Sequence, residues 1–176
     1  MRAPVLGFTL LAAVIAASAI AQTPTAPAAA PAAVPSAPAM TLFASSSEVT
    51  ALIAKVRASR KEGQNLVTAP ILSLAPYRAS LEYRPATAPA SLHEKDAEMF
   101  YVIEGTGTIV TGGKLTDETR TNAANLSGTS IAGGNAQAFA KGDFIIVPEN
   151  TPHQITPSGG PVFLMALHVP RPTAWP

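Results

Sequence analysis

Beyond Gly63 the apolar residues come in short runs, LVTAPILSL, YRASLEYRP, EMFYVIEG, TGTIVTGG, AQAFAKGD, FIIVPEN and VFLMALHVP, divided by Pro, Gly or polar turn residues. Runs of that length, rich in β-branched and aromatic residues, predict strands, and so many of them predict an all-β sandwich or small barrel. In EMFYVIEG the strand is expected to end at Gly105 as a turn glycine. Ahead of the strands the pattern is helical. Ser45 and Glu48 have the spacing of a capping box, and Val49, Leu52, Ile53 and Val56 fall on one face, which predicts a single amphipathic helix packed outside the strands. Arg57, Arg60 and Lys61 suit its C-terminal dipole, and Gly63 is placed to stop it. The long polar stretch 114–134, KLTDETRTNAANLSGTSIAGG, predicts an excursion over one rim, a lid rather than part of the inner barrel.

The first 39 residues follow neither pattern. Met1-Arg2, the apolar run from Val5 to Ile20 and the small residues of Ala19-Ile20-Ala21 have the layout of a cleavable signal peptide over residues 1–21. The expected product is exported, periplasmic in a Gram-negative bacterium and otherwise secreted, with no stable membrane insertion after cleavage. Residues 22–39 are nearly all Ala and Pro and read as an extended, disordered linker. A helical segment over 40–64 and one β domain over 65–176 account for the rest. The 47% hydrophobic content is therefore inflated by the leader and the linker. Losing Arg2 takes the 12 basic residues to 11, against 11 acidic ones, so the mature chain is formally neutral and offers no field for nucleic acid. With no Cys, thiol chemistry is excluded, and a bound metal would have to use His, carboxylate or water.

Two stretches carry candidate chemistry. In SLHEKDAEMFYVIEG, His93 and Glu98 stand at the entrance of an apolar strand, where an ionisable group needs a cation, a hydrogen-bond network or water beside it. In GDFIIVPENTPHQITP, His153 follows a rigid turn built on Pro148 and Pro152. Together the three side chains would give two imidazoles and one carboxylate, a set suited to one divalent transition metal, Fe, Mn, Zn or Ni, with open positions left for water or substrate. Taken singly each has a structural role available: a turn histidine, a Glu98–Lys95 ion pair, a capped strand end.

These stretches resemble the paired motifs of the cupins, small β-barrels with histidines, a glutamate and a glycine in the first motif and glycine, proline and histidine in the second. Glu98 is followed at the first motif's spacing by Gly105, and Gly142, Pro148 and His153 have the second motif's spacing. The resemblance spans about Leu66 to Val169. It implies a single cupin barrel (double-stranded β-helix, or jelly roll) carrying the N-terminal helix, with His93, Glu98 and His153 as metal ligands. The first motif's other histidine falls on Ser91, a poor ligand, so the resemblance leaves a fourth position to water or substrate. Asn150 stands where a glycine is usual, a mild change because Asn tolerates left-handed conformations.

The resemblance places Phe100 and Val102 in the cavity with Glu98, and Phe144 or Ile146 closing it. On YRASLEYRP, Leu81 and Tyr83 are the economical core residues, while Arg84 is placed at the rim, paired with Glu82 at the surface or reaching an anionic ligand. His168 shares the Leu164 and Ala166 face of its strand and is expected to be a satisfied histidine outside the cluster. The implied function is that of a small-molecule enzyme of oxygenase, isomerase or lyase type, with Lys95, Tyr83, Glu82 and Tyr101 as candidate proton carriers, or of a non-catalytic small-molecule binding or sensing barrel. Homodimerisation is left open. A chain starting at Met40 should unfold cooperatively and give a β-dominated circular dichroism spectrum; loss of the cooperative transition would move the domain boundary.

Overall fold

The computed structural model describes residues 40–171; the signal peptide and linker expected over 1–39 lie outside them. The described residues belong to one compact unit. One helix, α1 (Ser46–Ser59), precedes eleven strands: β1 (Val67–Leu74), β2 (Tyr77–Arg84), β3 (Ala90–His93), β4 (Asp96–Thr111), β5 (Lys114–Thr116), β6 (Thr119–Asn122), β7 (Asn125–Gly128), β8 (Ser130–Ala132), β9 (Asn135–Ala140), β10 (Phe144–Val147) and β11 (His153–Pro170). Among the described residues, no helix is long and apolar enough to cross a membrane.

The capping box forms: Ser45 Oγ accepts from Glu48 N at 3.2 Å, and Ser45 N donates to Glu48 Oε2 at 2.7 Å. The helix ends at Ser59, with Arg60 already extended, four residues short of Gly63. Its apolar face, Leu52, Ile53 and Val56, covers Leu81, Tyr83 and Phe163 on the outer side of the sheet.

The scaffold is a pair of long antiparallel strands. β4 runs beside β11 for nearly the whole length of both; the free edge of β11 is taken by β3 near its start and β2 near its end, and that of β4 by β10 and then β9. Gly105 does not end a strand, as the sequence pattern predicted. It lies inside β4, where a register shift opposite Ser158 to Phe163 absorbs extra residues and switches the inward parity from Glu98, Phe100 and Val102 to Ile109. The inner face gathers Phe100, Val102, Ile109, Phe139, Val147, Ile155, Val162, Leu164 and Ala166 into one core.

Three expectations are corrected by this register. Phe144 and Ile146 are 70% and 67% exposed; it is Ile145 and Val147 that pair with Phe100 and Glu98 and face inward, because four consecutive apolar residues leave the strand's phase undetermined. Arg84 and Glu82 are not at the rim. They lie opposite Val162 and Leu164 on the inner face as a buried pair, with Nη2 and Nε of Arg84 at 2.8 and 2.9 Å from Glu82 Oε2. The stretch 114–134 is not merely a lid: it forms β5 through β8, and β7 joins the main sheet by pairing with β3.

Gly105 has φ +96°, and a Cβ there would sit 2.6 Å from the Pro161 carbonyl oxygen, whereas Gly159, at φ +72°, has open space around it. The left-handed backbone alone costs a non-glycine residue on the order of 1–3 kcal/mol. Gly105→Ala should therefore lower the urea midpoint more than Gly159→Ala, the difference being the carbonyl clash.

Candidate metal centre

Three strands and one turn bring the ionisable groups together. Glu98 points inward from β4, His168 lies directly opposite it on β11, and His153, at the start of β11, lies opposite Ser91 of β3. The turn at Pro148 to Pro152 is tied to β3 by a hydrogen bond from Asn150 N to the His93 carbonyl at 2.8 Å, with Asn150 left-handed at φ +57°. That bond brings His93 and His153 to one end of the barrel.

All three imidazoles turn the same nitrogen to the same carboxylate. His93 Nε2 and His153 Nε2 lie 3.1 Å from Glu98 Oε2, and His168 Nε2 lies 3.3 Å from Glu98 Oε1. Ring centroids of His93 and His153 are 5.3 Å apart, those of His93 and His168 4.8 Å. Glu98 and His153 are 3% exposed, and Phe100 meets His153 edge-on. His168 is thus inside the cluster and not outside it. The alternation placing it with Leu164 and Ala166 was right, but that face is the barrel interior. The group His93, Glu98 and His168 offers ligand atoms all within 4.8 Å of one another and could hold a metal ion. His168 joins the cluster from the last strand, and Ser91 lies opposite His153 in the β3–β11 pairing.

The opposite sides of the rings show why a cation fits. His153 Nδ1 is 3.2 Å from the Thr151 carbonyl oxygen and His93 Nδ1 is 2.9 Å from Asn125 Oδ1. A carbonyl only accepts, so Nδ1 carries the proton and the neutral ring presents a lone pair at Nε2. Lone pairs facing a carboxylate repel unless a positive charge stands between. Protonation can supply it for one ring through Glu98, and for His168 also through Asp96, 3.7 Å from its Nδ1, but a third imidazolium would be buried without counter-charge. A divalent cation held by His93, Glu98 and His168, the group whose ligand atoms lie mutually close, would meet imidazole lone pairs and the carboxylate at once. Asn125, which orients His93, comes from the 114–134 stretch, and no motif signal pointed to it.

In metal-free protein, burial pushes the Glu98 carboxyl up. Where the rings turn an N–H to it instead of a lone pair, hydrogen bonds from His153, His168 and His93 and the charge of a protonated His153 outweigh burial and hold Glu98 well below the usual carboxylate range. Burial likewise works to lower the His93 pKa, and contacts with Glu98 and Asn125 together with the charges of Glu98 and Asp96 reverse this, leaving it raised.

The other candidates are dispersed. Tyr83 stacks on Phe163 at 4.6 Å beneath α1, and Tyr101 packs against the exposed Phe144 at 4.8 Å; both are on the outer side of the sheet. Lys95 is exposed and makes no pair with Glu98. Glu82 is on the inner face but bound to Arg84 and four residues along β11 from the His168 row, roughly 13 Å at strand rise. Phe100 and Val102 are fully buried on the Glu98 face.

No protein-family model and no curated protein sequence matches the chain. Solved structures do. DMSP lyase DddQ from Ruegeria pomeroyi has a TM-score of 0.49 at 16% identity, over 80% of this chain and 71% of that one. A Cupin 2 conserved barrel domain protein from Salinispora arenicola has 0.43 at 17%, over 64% and 82%, and the Cnp3 cupin domain from Schizosaccharomyces pombe has 0.46 at 17%, over 65% and 72%. In fold, the chain is similar to cupin-domain proteins. Likeness at this level does not extend to activity.

In metal-free protein the two shifts set opposite limits. The raised His93 pKa contributes stability that is complete below about pH 6.5 and is lost as pH rises through the folded value. The lowered Glu98 pKa contributes stability that is complete above about pH 4.3 and is lost as pH falls. Thermal melts in chelator should therefore peak in mildly acidic solution, between these limits; stability rising steadily to alkaline pH would contradict the cluster.

Proposed function

We propose that this chain is an exported cupin-like protein that binds one divalent transition metal, Fe, Mn, Zn or Ni, through Glu98, His93, His153 and His168, and that it acts there on a small molecule by oxygenase, isomerase or lyase chemistry. The observation that carries the reading is the convergence of three Nε2 atoms on one buried carboxylate. A bound divalent cation would supply Lewis-acid polarisation of a substrate oxygen. The chain's own residues hold the imidazoles in one tautomer through Asn125 and Thr151 and keep the inner wall apolar with Phe100 and Val102.

The placement of Tyr83 and Tyr101 on the outer side, and of Glu82 against Arg84, favours a second reading in which the metal only anchors a small-molecule ligand. Turnover by the metal-loaded protein of catechols, diketones, keto sugars or sulfonio acids would exclude it, and stoichiometric binding without turnover would favour it. Homodimerisation is kept as a proposal, supported by the exposed Phe144 and Ile146.

Metal analysis after resupply with Fe(II), Mn(II), Zn(II) and Ni(II) in turn tests the centre. His153→Ala and His168→Ala should each weaken binding by at least about tenfold, the scale that loss of an outer partner alone can reach, and Ser91→Ala should not. Failure of the wild-type chain to bind any of the four would leave the cluster a proton-held ion pair and remove the enzyme reading's main support.

A further inference from the structure

We propose that Asp96 is the positioning residue for His168, its carboxylate accepting the Nδ1 proton so that the Nε2 lone pair faces Glu98 and the bound cation. The inference rests on the metal reading above and deepens it. His168 Nδ1 is buried and has no hydrogen-bond partner among the described residues. The other two rings have one, Asn125 Oδ1 for His93 and the Thr151 carbonyl for His153. On the Nδ1 side of His168 stands Asp96 Oδ2, at 3.7 Å.

The strand geometry makes that neighbour systematic. Asp96 and Glu98 are two residues apart on β4 and share a face; Glu98 is opposite His168 and Asp96 is opposite Pro170. The two carboxylates therefore bracket the ring, Glu98 at Nε2 and Asp96 at Nδ1. Closing the 3.7 Å to hydrogen-bond range, about 2.7–3.2 Å, takes a shift of roughly 0.5–1 Å. A ligating imidazole whose other N–H is held by a carboxylate is fixed in tautomer and made more basic. Without Asp96, His168 would exchange tautomers and would present an N–H to the cation part of the time.

The test uses the full chain and reads two quantities. Two-bond 15N–1H correlations recorded with and without Zn(II) report the tautomer of each histidine, and competition with a chromophoric chelator reports Zn(II) affinity. Asp96→Ala should lose the Nδ1–H tautomer of His168 and weaken Zn(II) binding about 10–100-fold. Asp96→Asn, which keeps an acceptor oxygen as Asn125 does for His93, should retain the tautomer and recover most of the affinity. Should Asp96→Ala fail to fold, Asp96→Ser, too short to reach the ring, takes its place. An unchanged tautomer and affinity in the Ala or Ser variant would overturn the proposal. Equal losses in the Asn and Ala variants would assign the effect to charge and overturn the positioning role. A wild-type chain that binds no Zn(II), with the tautomer still dependent on residue 96, would sink the metal reading and leave the contact standing.

Discussion

The structure is organised around one buried carboxylate. Glu98 stands inside an apolar barrel, 3% exposed, where an uncompensated charge would cost several kcal/mol. What compensates it is collected from three places in the chain: His93 from β3, His153 after the Pro148 turn and His168 from the far end of β11. Because the Nδ1 sides of His93 and His153 face acceptors, those two rings come to Glu98 with lone pairs. Protons can satisfy part of this arrangement, and His93, Glu98 and His168 could hold a metal ion.

Keeping those groups in place is the work of the β4–β11 pair. Its register puts His168 against Glu98 and keeps Phe100, Val102, Leu164 and Ala166 on the same inner face, so the hydrophobic core and the polar cluster share one strand pair. The shift at Gly105 lets one strand serve both halves of the barrel: before it the inward residues are even-numbered, after it odd-numbered. The outer face has its own core under α1, where Phe163 meets Tyr83, and Arg57 lies 5.1 Å over the Phe163 ring. Aromatic residues that looked available for chemistry are structural on that side.

The 114–134 stretch connects scaffold to site. Its composition is polar, and in the sequence it resembles an excursion, yet β7 pairs with β3 and places Asn125 opposite His93. Strand pairing between segments 32 residues apart leaves little trace in hydrophobic periodicity when the added strand is half exposed. The buried Arg84–Glu82 pair is a similar case: alternation marked the two as sharing a face, and only the neighbours Val162 and Leu164 decided that this face is the interior.

Local patterns determined the capped helix, the strands of the seven apolar runs and their alternation, though not β3, β5 to β8 or the passage of β4 through Gly105, together with the left-handed Asn150 in the second turn and the meeting of His93, Glu98 and His153 implied by motif spacing. Each depends on residues within a few positions of one another, or on spacings that the resemblance to cupins supplies. Tertiary structure alone decided which face of each strand is inside. Period-two alternation names two faces and is silent about which one packs inward, so Phe144, Ile146 and Arg84 were assigned to the wrong side, and His168, placed on the correct face, was left outside the cluster. His168 shows the consequence most directly. Its place on the Leu164 and Ala166 face could be read from the chain, and its place against Glu98 required the β4–β11 register, which is a long-range pairing that no local pattern encodes.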